Sequence, residues 1–163
     1  MRRSIELWSL TVTAFLAAGA LALADEKDEK IPLEKVPAAV TAAVKAKYPK
    51  AELVSAELGD QDGKKVYEIA LKSGVKKWEA SFTPEGKFVS SEESVAAADL
   101  PTKVKEAFDA KYPKAKVVSM EKETTGEGDG AKVVYEIVIE TDKGKIEVQF
   151  SPDGKLIAEE KVK

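Results

Sequence analysis

The hexapeptide AKYPKA occurs twice in this chain, at residues 46–51 and again, 64 residues later, at residues 110–115. Further matches keep a spacing of 68 residues: VYEI at 66–69 and 134–137, and FTPEGK and FSPDGK at 82–87 and 150–155. Self-similarity at a nearly fixed period is typical of duplicated structural units. The sequence therefore predicts two copies of one unit. The second copy has four additional residues between the hexapeptide and VYEI.

Each copy predicts a helix that ends inside the hexapeptide. Pro37 and Pro101 suit the first helical position, where the missing N–H costs nothing. A proline disfavours the α conformation of the residue before it, so the dipeptides Tyr48-Pro49 and Tyr112-Pro113 end the two helices. We expect both tyrosine rings to cap the core. Apolar side chains recur at helical spacing in between: Val36, Val40, Ala43 and Val44, and Leu100, Val104, Ala107 and Phe108.

Four strands are predicted after each helix, because apolar and polar side chains alternate between turn residues. One face of each sheet is apolar and contains most of the aromatic side chains: Tyr67, Trp78, Phe82, Tyr135 and Phe150. A helix typically covers such a face. The sequence thus predicts an α+β fold in which α-β-β-β-β occurs twice. Units of about 60 residues are marginal alone, so we expect them to pack together or to share one sheet.

The N-terminal residues have the pattern of an export signal. Arg2 and Arg3 precede the apolar run from Leu7 to Leu21, and Ala22-Leu23-Ala24 supplies small residues at a cleavage site. An uncleaved membrane anchor is the alternative. Cleavage before Asp25 would make the protein periplasmic or secreted, with no membrane attachment afterwards. The predicted organisation is a signal peptide over 1–24, a polar tail over 25–35, and repeats over 36–94 and 95–163.

The composition excludes several classes of function. The chain contains no cysteine and no histidine, which removes disulfides, thiolate chemistry and the commonest neutral-pH base. Its 29 acidic residues outnumber 26 basic ones, and the lysines are scattered, so no nucleic-acid partner is predicted. A Ser–Lys or carboxylate pair is the remaining route to catalysis, and no motif supports one. No enzyme activity and no cofactor are predicted, and the oligomeric state stays open.

One turn has part of the pattern of a calcium-binding loop. Glu127, Asp129, Gly130 and Glu136 match positions of an EF-hand, but the first position would be Thr125, and a strand follows instead of a helix. We interpret the segment as a hairpin turn and predict no metal site there.

Residues 100–123 (LPTKVKEAFDAKYPKAKVVSMEKE) and 133–160 (VVYEIVIETDKGKIEVQFSPDGKLIAEE) resemble the PepSY-like, β-lactamase-inhibitor-like family of bacterial exported proteins. The first copy resembles it equally. The resemblance implies a tandem helix-plus-four-strand fold and no catalytic residues. The inhibitor after which the family is named binds its enzyme with the open face of its sheet and is stabilised by disulfides. Because this chain has no disulfides and no match to the contact residues, inhibition of a β-lactamase is not implied.

The sheet face away from the helices is the candidate binding surface. Alternation places charged and polar side chains there: Glu68, Lys77, Glu79, Glu136, Val138, Glu140, Glu147 and Gln149. Glu136 and Glu140 should lie on one strand, with Glu147 on the next, so three carboxylates would be close together. We interpret this face as the docking surface of a non-catalytic exported module for a protein or peptide, with modulation or inhibition of an envelope or secreted protein as one role. A small-ligand or divalent-cation site is the alternative, and a plain solvated face is the simplest interpretation.

Overall fold

The structure is a computed structural model, and it describes residues 29–61 and 63–162. Two helices and nine strands make up this part of the chain. The helices are α1 (Ala38–Lys47) and α2 (Thr102–Lys111). The strands are β1 (Glu29–Ile31), β2 (Glu52–Gln61), β3 (Lys64–Ser73), β4 (Lys76–Phe82), β5 (Phe88–Ser94), β6 (Lys116–Thr125), β7 (Lys132–Thr141), β8 (Gly144–Phe150) and β9 (Leu156–Lys161). The signal peptide predicted over 1–24 lies outside the described residues.

All nine strands belong to one antiparallel sheet, and they follow one another in chain order. The two predicted units, α1-β2-β3-β4-β5 and α2-β6-β7-β8-β9, are joined where β5 pairs with β6, from Ser90↔Thr125 to Ser94↔Glu121. The α+β fold with its repeated helix-plus-four-strand order is therefore confirmed. Of the two arrangements expected for the units, the structure has the continuous sheet.

Strand β1 was not predicted. It lies within the segment interpreted as a polar tail and pairs with β2 from Glu29↔Leu58 to Ile31↔Ala56. A 3₁₀ turn at Leu33–Lys35 then leads to α1, as a second one at Ala97–Asp99 leads to α2. Only three residues form β1, so its period-2 pattern is too short to recognise in a sequence rich in charged residues.

The two helices end where the repeated motifs predict, and each begins one residue after the predicted proline. Pro37 and Pro101 occupy the residue just before the first helical one, both with φ −54°. Tyr48 and Tyr112 leave the helical conformation, with φ −125° and −128°. The backbone N–H of each tyrosine still donates to a helix carbonyl, Val44 or Phe108, at 2.8 Å. Each hexapeptide is thus the end of a helix and the tight turn into a strand.

Each helix packs on its own apolar cluster. The first cluster includes Val40, Val44, Ile69, Leu71 and Phe82, and the second includes Val104, Phe108, Ile137, Ile139 and Phe150. Phe82 and Phe150 are each 1% exposed. Tyr135 is buried, whereas Tyr48, Tyr67, Trp78 and Tyr112 are partly buried at the cluster rims.

Trp78 lies at the rim of the first core cluster, although its alternation places it on the apolar face. Its ring centroid is 6.0 Å from that of Tyr48, beyond the last turn of α1. The helix ends at Lys47, and the Tyr48 ring lies against Trp78 beyond this end. Tyr112 holds the matching place in the second unit, and its hydroxyl donates to Glu159 at 2.6 Å.

The turns FTPEGK and FSPDGK contact the first turn of each helix. Gly86 and Gly154 have φ of +81° and +84°, a conformation that favours glycine. A Cβ at either position would overlap a helix backbone carbonyl, that of Ala39 or Lys103. The turn sequence therefore recurs at a place where only glycine fits.

Within residues 29–61 and 63–162, neither helix is long and apolar enough to cross a membrane.

Candidate functional site: an acidic sheet face

The face of the sheet opposite the helices carries a repeated set of glutamates. Side chains on a strand alternate between faces, so those next to the core residues of β2–β9 point away from the helices. Each unit contributes four glutamates at matching positions, and the second contributes one more. We call this set the acidic face: Glu57, Glu68, Glu79 and Glu92 from the first unit, and Glu121, Glu123, Glu136, Glu147 and Glu160 from the second.

The strand register places many of these carboxylates directly opposite one another. Within the first unit the pairs are Glu57↔Glu68 and Glu79↔Glu92. Within the second they are Glu121↔Glu136 and Glu147↔Glu160. Like charges opposite each other destabilise a sheet. Each unit therefore contains two such unfavourable pairs.

The pairing of β5 with β6 joins the two sets at the centre of the sheet. Glu92 of β5 lies opposite Glu123, and Ser94 lies opposite Glu121. Glu136 of β7 follows on the next strand. Four glutamates therefore lie on three adjacent strands, and we call them the junction cluster: Glu92, Glu121, Glu123 and Glu136.

Burial and mutual repulsion hold protons on this cluster. Burial, followed by the charge of neighbouring carboxylates, Glu121 first, raises the pKa of Glu92 to about 8. Burial likewise raises the pKa of Glu136 to about 8, with Glu147 as the strongest neighbour. The pKa of Glu121 is raised by burial and then by Glu147. Two of these groups therefore titrate near neutral pH, where a glutamate ordinarily carries a full charge.

One side-chain amide supports the second-unit end of the cluster. The Gln149 Nε2 donates to Glu136 Oε1 and to Glu147 Oε1, both at 2.9 Å. Gln149 is 9% exposed. Its amide nitrogen has only two N–H groups, so both are occupied.

Glu121 is buried more deeply than any other residue of the cluster. It is 6% exposed, on a face that no helix covers. Its Oε1 has no hydrogen-bond partner within the part of the chain that the structure describes. A buried acceptor without a donor is unfavourable by about 1–3 kcal/mol.

The predicted site residues share this face, but they do not all lie together. Glu68, Glu79, Glu136, Glu147 and Gln149 belong to the central strands, and Val138 lies opposite Glu147. Lys77 lies opposite Lys72, toward the β3–β4 turn. The prediction of one group formed by Glu136, Glu140 and Glu147 needs correction: Glu140 pairs with Lys116 across β6 at 2.5 Å.

Three members of the junction cluster were missed from the sequence: Glu92, Glu121 and Glu123. They come from β5 and β6, whose pairing across the two units no local pattern reveals. One signal was present in the repeat alignment. Glu121 matches Glu57 at the 64-residue spacing, and the remaining matches, Glu136 with Glu68, Glu147 with Glu79 and Glu160 with Glu92, keep the 68-residue spacing.

The carboxylates of this face do not form a ready metal centre. Among the described residues, no group of three or more carboxylates has the arrangement of a metal site. Hard cations such as Ca²⁺ need six or more oxygen ligands around one point.

Comparison with known families identifies the group to which the chain belongs. A family model described as "Putative beta-lactamase-inhibitor-like, PepSY-like" matches residues 2–90 and residues 65–158. The chain therefore belongs to this family, and the resemblance stated from its motifs is confirmed. The two overlapping matches fit the duplication. No curated protein matches the chain.

Several solved structures share the fold at low identity. A protein of Bacteroides eggerthii described as one of the "putative periplasmic proteins" has a TM-score of 0.64 and 19% identity, over 77% of this chain and 88% of its own. A DUF2874 family protein of Bacteroides uniformis has a TM-score of 0.62 and 19% identity, over 76% and 87%. A BLIP-like protein of Bacteroides fragilis has a TM-score of 0.62 and 20% identity, over 77% and 86%.

Proposed function

We propose that this protein is a non-catalytic exported binding module whose acidic face takes a positively charged segment of a partner protein. The observation that carries the proposal is the junction cluster. Four glutamates are packed on adjacent strands, and one of them is buried with an unpartnered oxygen. This arrangement destabilises the free protein. A cationic partner would relieve both the repulsion and the missing hydrogen bond.

Export and the absence of catalysis are supported by different observations. The apolar run and the Ala22-Leu23-Ala24 site have the pattern of a cleavable signal. A structural relative described as periplasmic agrees with that location. The family is named after an inhibitor, a non-enzymatic kind of protein. The chain also lacks the histidine and cysteine side chains that most hydrolytic sites use.

A protein partner is favoured over a divalent cation by the spacing of the carboxylates. The acidic face as a whole extends across the strands of both units, and none of the described groups has metal-site geometry. An extended row of negative charge fits an extended basic segment better. Such complementarity accelerates association and selects the partner.

A direct test measures binding of a pentalysine peptide by isothermal titration calorimetry at pH 7.5 and low salt. We expect binding that weakens as salt increases. The double substitution Glu136→Lys/Glu147→Lys should abolish it. The matched control, Glu34→Lys/Glu106→Lys, changes the net charge equally at exposed positions away from this face and should retain most of the affinity.

Two outcomes would contradict the proposal. Absence of binding to the unaltered protein would refute a basic partner. An equal loss of affinity in both variants would show that binding depends only on the net charge of the protein. A melting temperature raised by calcium but not by pentalysine would favour the cation alternative, because a ligand specific for the native state stabilises it. Circular dichroism checks that each variant is folded.

A further inference from the structure

We infer that the junction cluster receives one cationic side chain, a lysine or arginine of the partner, between Glu92, Glu121 and Glu136. This inference rests on the proposed function and makes it specific. The remaining glutamates of the acidic face would attract the partner, and the junction would recognise one of its side chains. The junction cluster exists only because two units share a sheet.

The spacing of the strands suits a single cation. Neighbouring strands lie about 4.7–4.9 Å apart, and opposite side chains have Cβ atoms about 4.5–5.5 Å apart. Glu121 lies directly opposite Glu136, and Glu92 is diagonal to Glu121 through the pairs Ser94↔Glu121 and Glu92↔Glu123. One ammonium or guanidinium group can therefore reach carboxylates from three strands at once.

The cluster has one buried acceptor without a partner and no spare amide donor from Gln149. That amide donates both its N–H groups, to Glu136 and Glu147. The Glu121 Oε1 remains buried without a partner among the described residues. A lysine brings three N–H donors and an arginine five, and neither brings an acceptor. The cluster thus lacks a hydrogen-bond donor for Glu121, and a cationic side chain would supply one.

The charged groups nearest to the three carboxylates are acidic. The neighbours that act on the pKa of Glu92, Glu121 and Glu136 are all carboxylates. Lysines on the same face of β3 to β8 lie in the first or last two residues of their strands: Lys64, Lys72, Lys77, Lys116, Lys132 and Lys145, with Glu140 beside Lys116. Both carboxylates with a pKa near 8 hold protons at neutral pH. A bound cation favours their ionised form, so binding must release protons.

Proton release on binding would distinguish the junction cluster from a surface whose carboxylates are all ionised. Carboxylates that are already ionised bind a cation without releasing protons. At pH 7 the junction cluster should release about one proton or more for each peptide bound, since two groups with a pKa near 8 are mostly protonated there. The affinity should consequently rise as the pH increases from 6 to 8.

The repeat itself supplies a matched control. Glu92 and Glu121 have equivalents in Glu160 and Glu57, which lie near the two ends of the sheet. The junction variant is Glu92→Gln/Glu121→Gln, and the matched variant is Glu57→Gln/Glu160→Gln. Both replace two carboxyl groups by amides in the same near-isosteric substitution, so neither is expected to unfold the protein.

The experiment measures pentalysine binding by calorimetry at pH 7 in phosphate and in Tris, whose different ionisation enthalpies give the number of protons released. We expect the junction variant to bind at least about tenfold more weakly and to release fewer protons, because it keeps only one of the two groups with a pKa near 8. The matched variant should change by less than about threefold and keep the release. Equal weakening in both variants, or binding without proton release in the unaltered protein, would overturn the inference while leaving a basic partner for the face intact. If pentalysine does not bind at all, the proposed function itself is refuted.

Discussion

The two units have the same elements, yet matching glutamates lie in different surroundings. Glu92 is on a strand with a neighbour on each side, whereas its equivalent Glu160 is exposed on β9, which ends the sheet. Glu121 is 6% exposed. Its equivalent Glu57 lies beside the short β1, where Lys30 Nζ is 3.9 Å from Glu57 Oε1. Duplication thus produced a buried acidic cluster at the junction without any new residue type.

A second comparison concerns an exposed ion pair that the units share with opposite polarity. Lys72 Nζ lies 3.1 Å from Glu52 Oε2 in the first unit. At the matching positions of the second unit, Glu140 accepts from Lys116 at 2.5 Å. The acidic residue and the lysine have exchanged strands. The glutamates of the acidic face, by contrast, keep the same sign in both units. An exposed pair can be exchanged at little cost, so the constant sign of the face is the more informative feature.

The largest expected effects are in the two cores. Phe82→Ala and Phe150→Ala should each reduce the free energy of unfolding by about 3–5 kcal/mol, because both side chains are 1% exposed. Urea unfolding followed by circular dichroism measures the loss. Val75→Ala, at a fully exposed turn position, is the control and should have almost no effect. Similar losses at both phenylalanines would show that the units contribute equally, and a loss below about 1 kcal/mol at either would contradict the core assignment.

The next effect compares glycines in matching turns. Gly86→Ala and Gly154→Ala should each destabilise the protein by about 2–3 kcal/mol, because the new Cβ meets a helix carbonyl in a conformation that favours glycine. Gly74→Ala is the control, since its φ is also positive but nothing lies within 4 Å of its Cβ. Thermal melts of the three variants measure the difference. A cost as large at Gly74 as at Gly154 would show that backbone strain alone, without the contact to the helix, explains the turn.

A smaller effect is expected from pH. The pKa of Glu92 and Glu136 is about 8 in the folded protein against 4.5 ordinarily. Below pH 4.5 both states are protonated and neither group affects stability. Between 4.5 and 8 the unfolded chain loses these protons while the folded chain keeps them, so stability falls as the pH rises. We expect the melting temperature to fall steadily as the pH is raised from 5 to 8, and thermal melts across this range measure the slope.

The two glutamine variants compare the pH dependence of stability at the junction with that at the ends of the sheet. Glu92→Gln/Glu121→Gln should have a melting temperature that depends less on pH in this range, because it removes one group with a pKa near 8 and a neighbour that raises both. Glu57→Gln/Glu160→Gln should keep the slope of the unaltered protein. Equal slopes in all three proteins would show that the junction has no special electrostatic character.

The smallest effect concerns the exchanged ion pair. Giving the second unit the polarity of the first, by Lys116→Glu/Glu140→Lys, should change stability by less than about 0.5 kcal/mol, because exposed pairs contribute little. Glu140→Lys alone should cost somewhat more, since it places two lysines side by side. Chemical denaturation of the single and double variants gives the coupling energy. A cost above about 1 kcal/mol in the double variant would mean that the two positions are not equivalent.

Local signals made much of the fold predictable. The Tyr-Pro dipeptides end helices through the conformation of one residue, and the Pro-x-Gly turns set hairpins within four residues. These effects do not depend on distant contacts. Period-2 alternation likewise separated the apolar face, with Phe82 and Phe150, from the acidic one.

Features that depend on distant strand pairing escaped prediction. The junction cluster requires β5 to pair with β6, and the intervening α2 gives no indication of that register. Glu140 was grouped with Glu136 because they share a strand face, but Lys116 on β6 pairs with it instead. The half-burial of Trp78 follows from where α1 ends relative to β4. In each case the missing information was which strand lies alongside another, and at what offset.

An NMR titration of the glutamate side-chain carboxyl carbons from pH 4 to pH 10 tests most directly whether joining two units creates an acidic cluster that holds protons. The resonances of Glu92 and Glu136 would be assigned by comparing spectra of the single glutamine variants. We expect titration midpoints near 8 for both groups. Midpoints close to the ordinary glutamate value of 4.5 would contradict this expectation, because the carboxylates would then be solvated and the junction would be no different from the ends of the sheet.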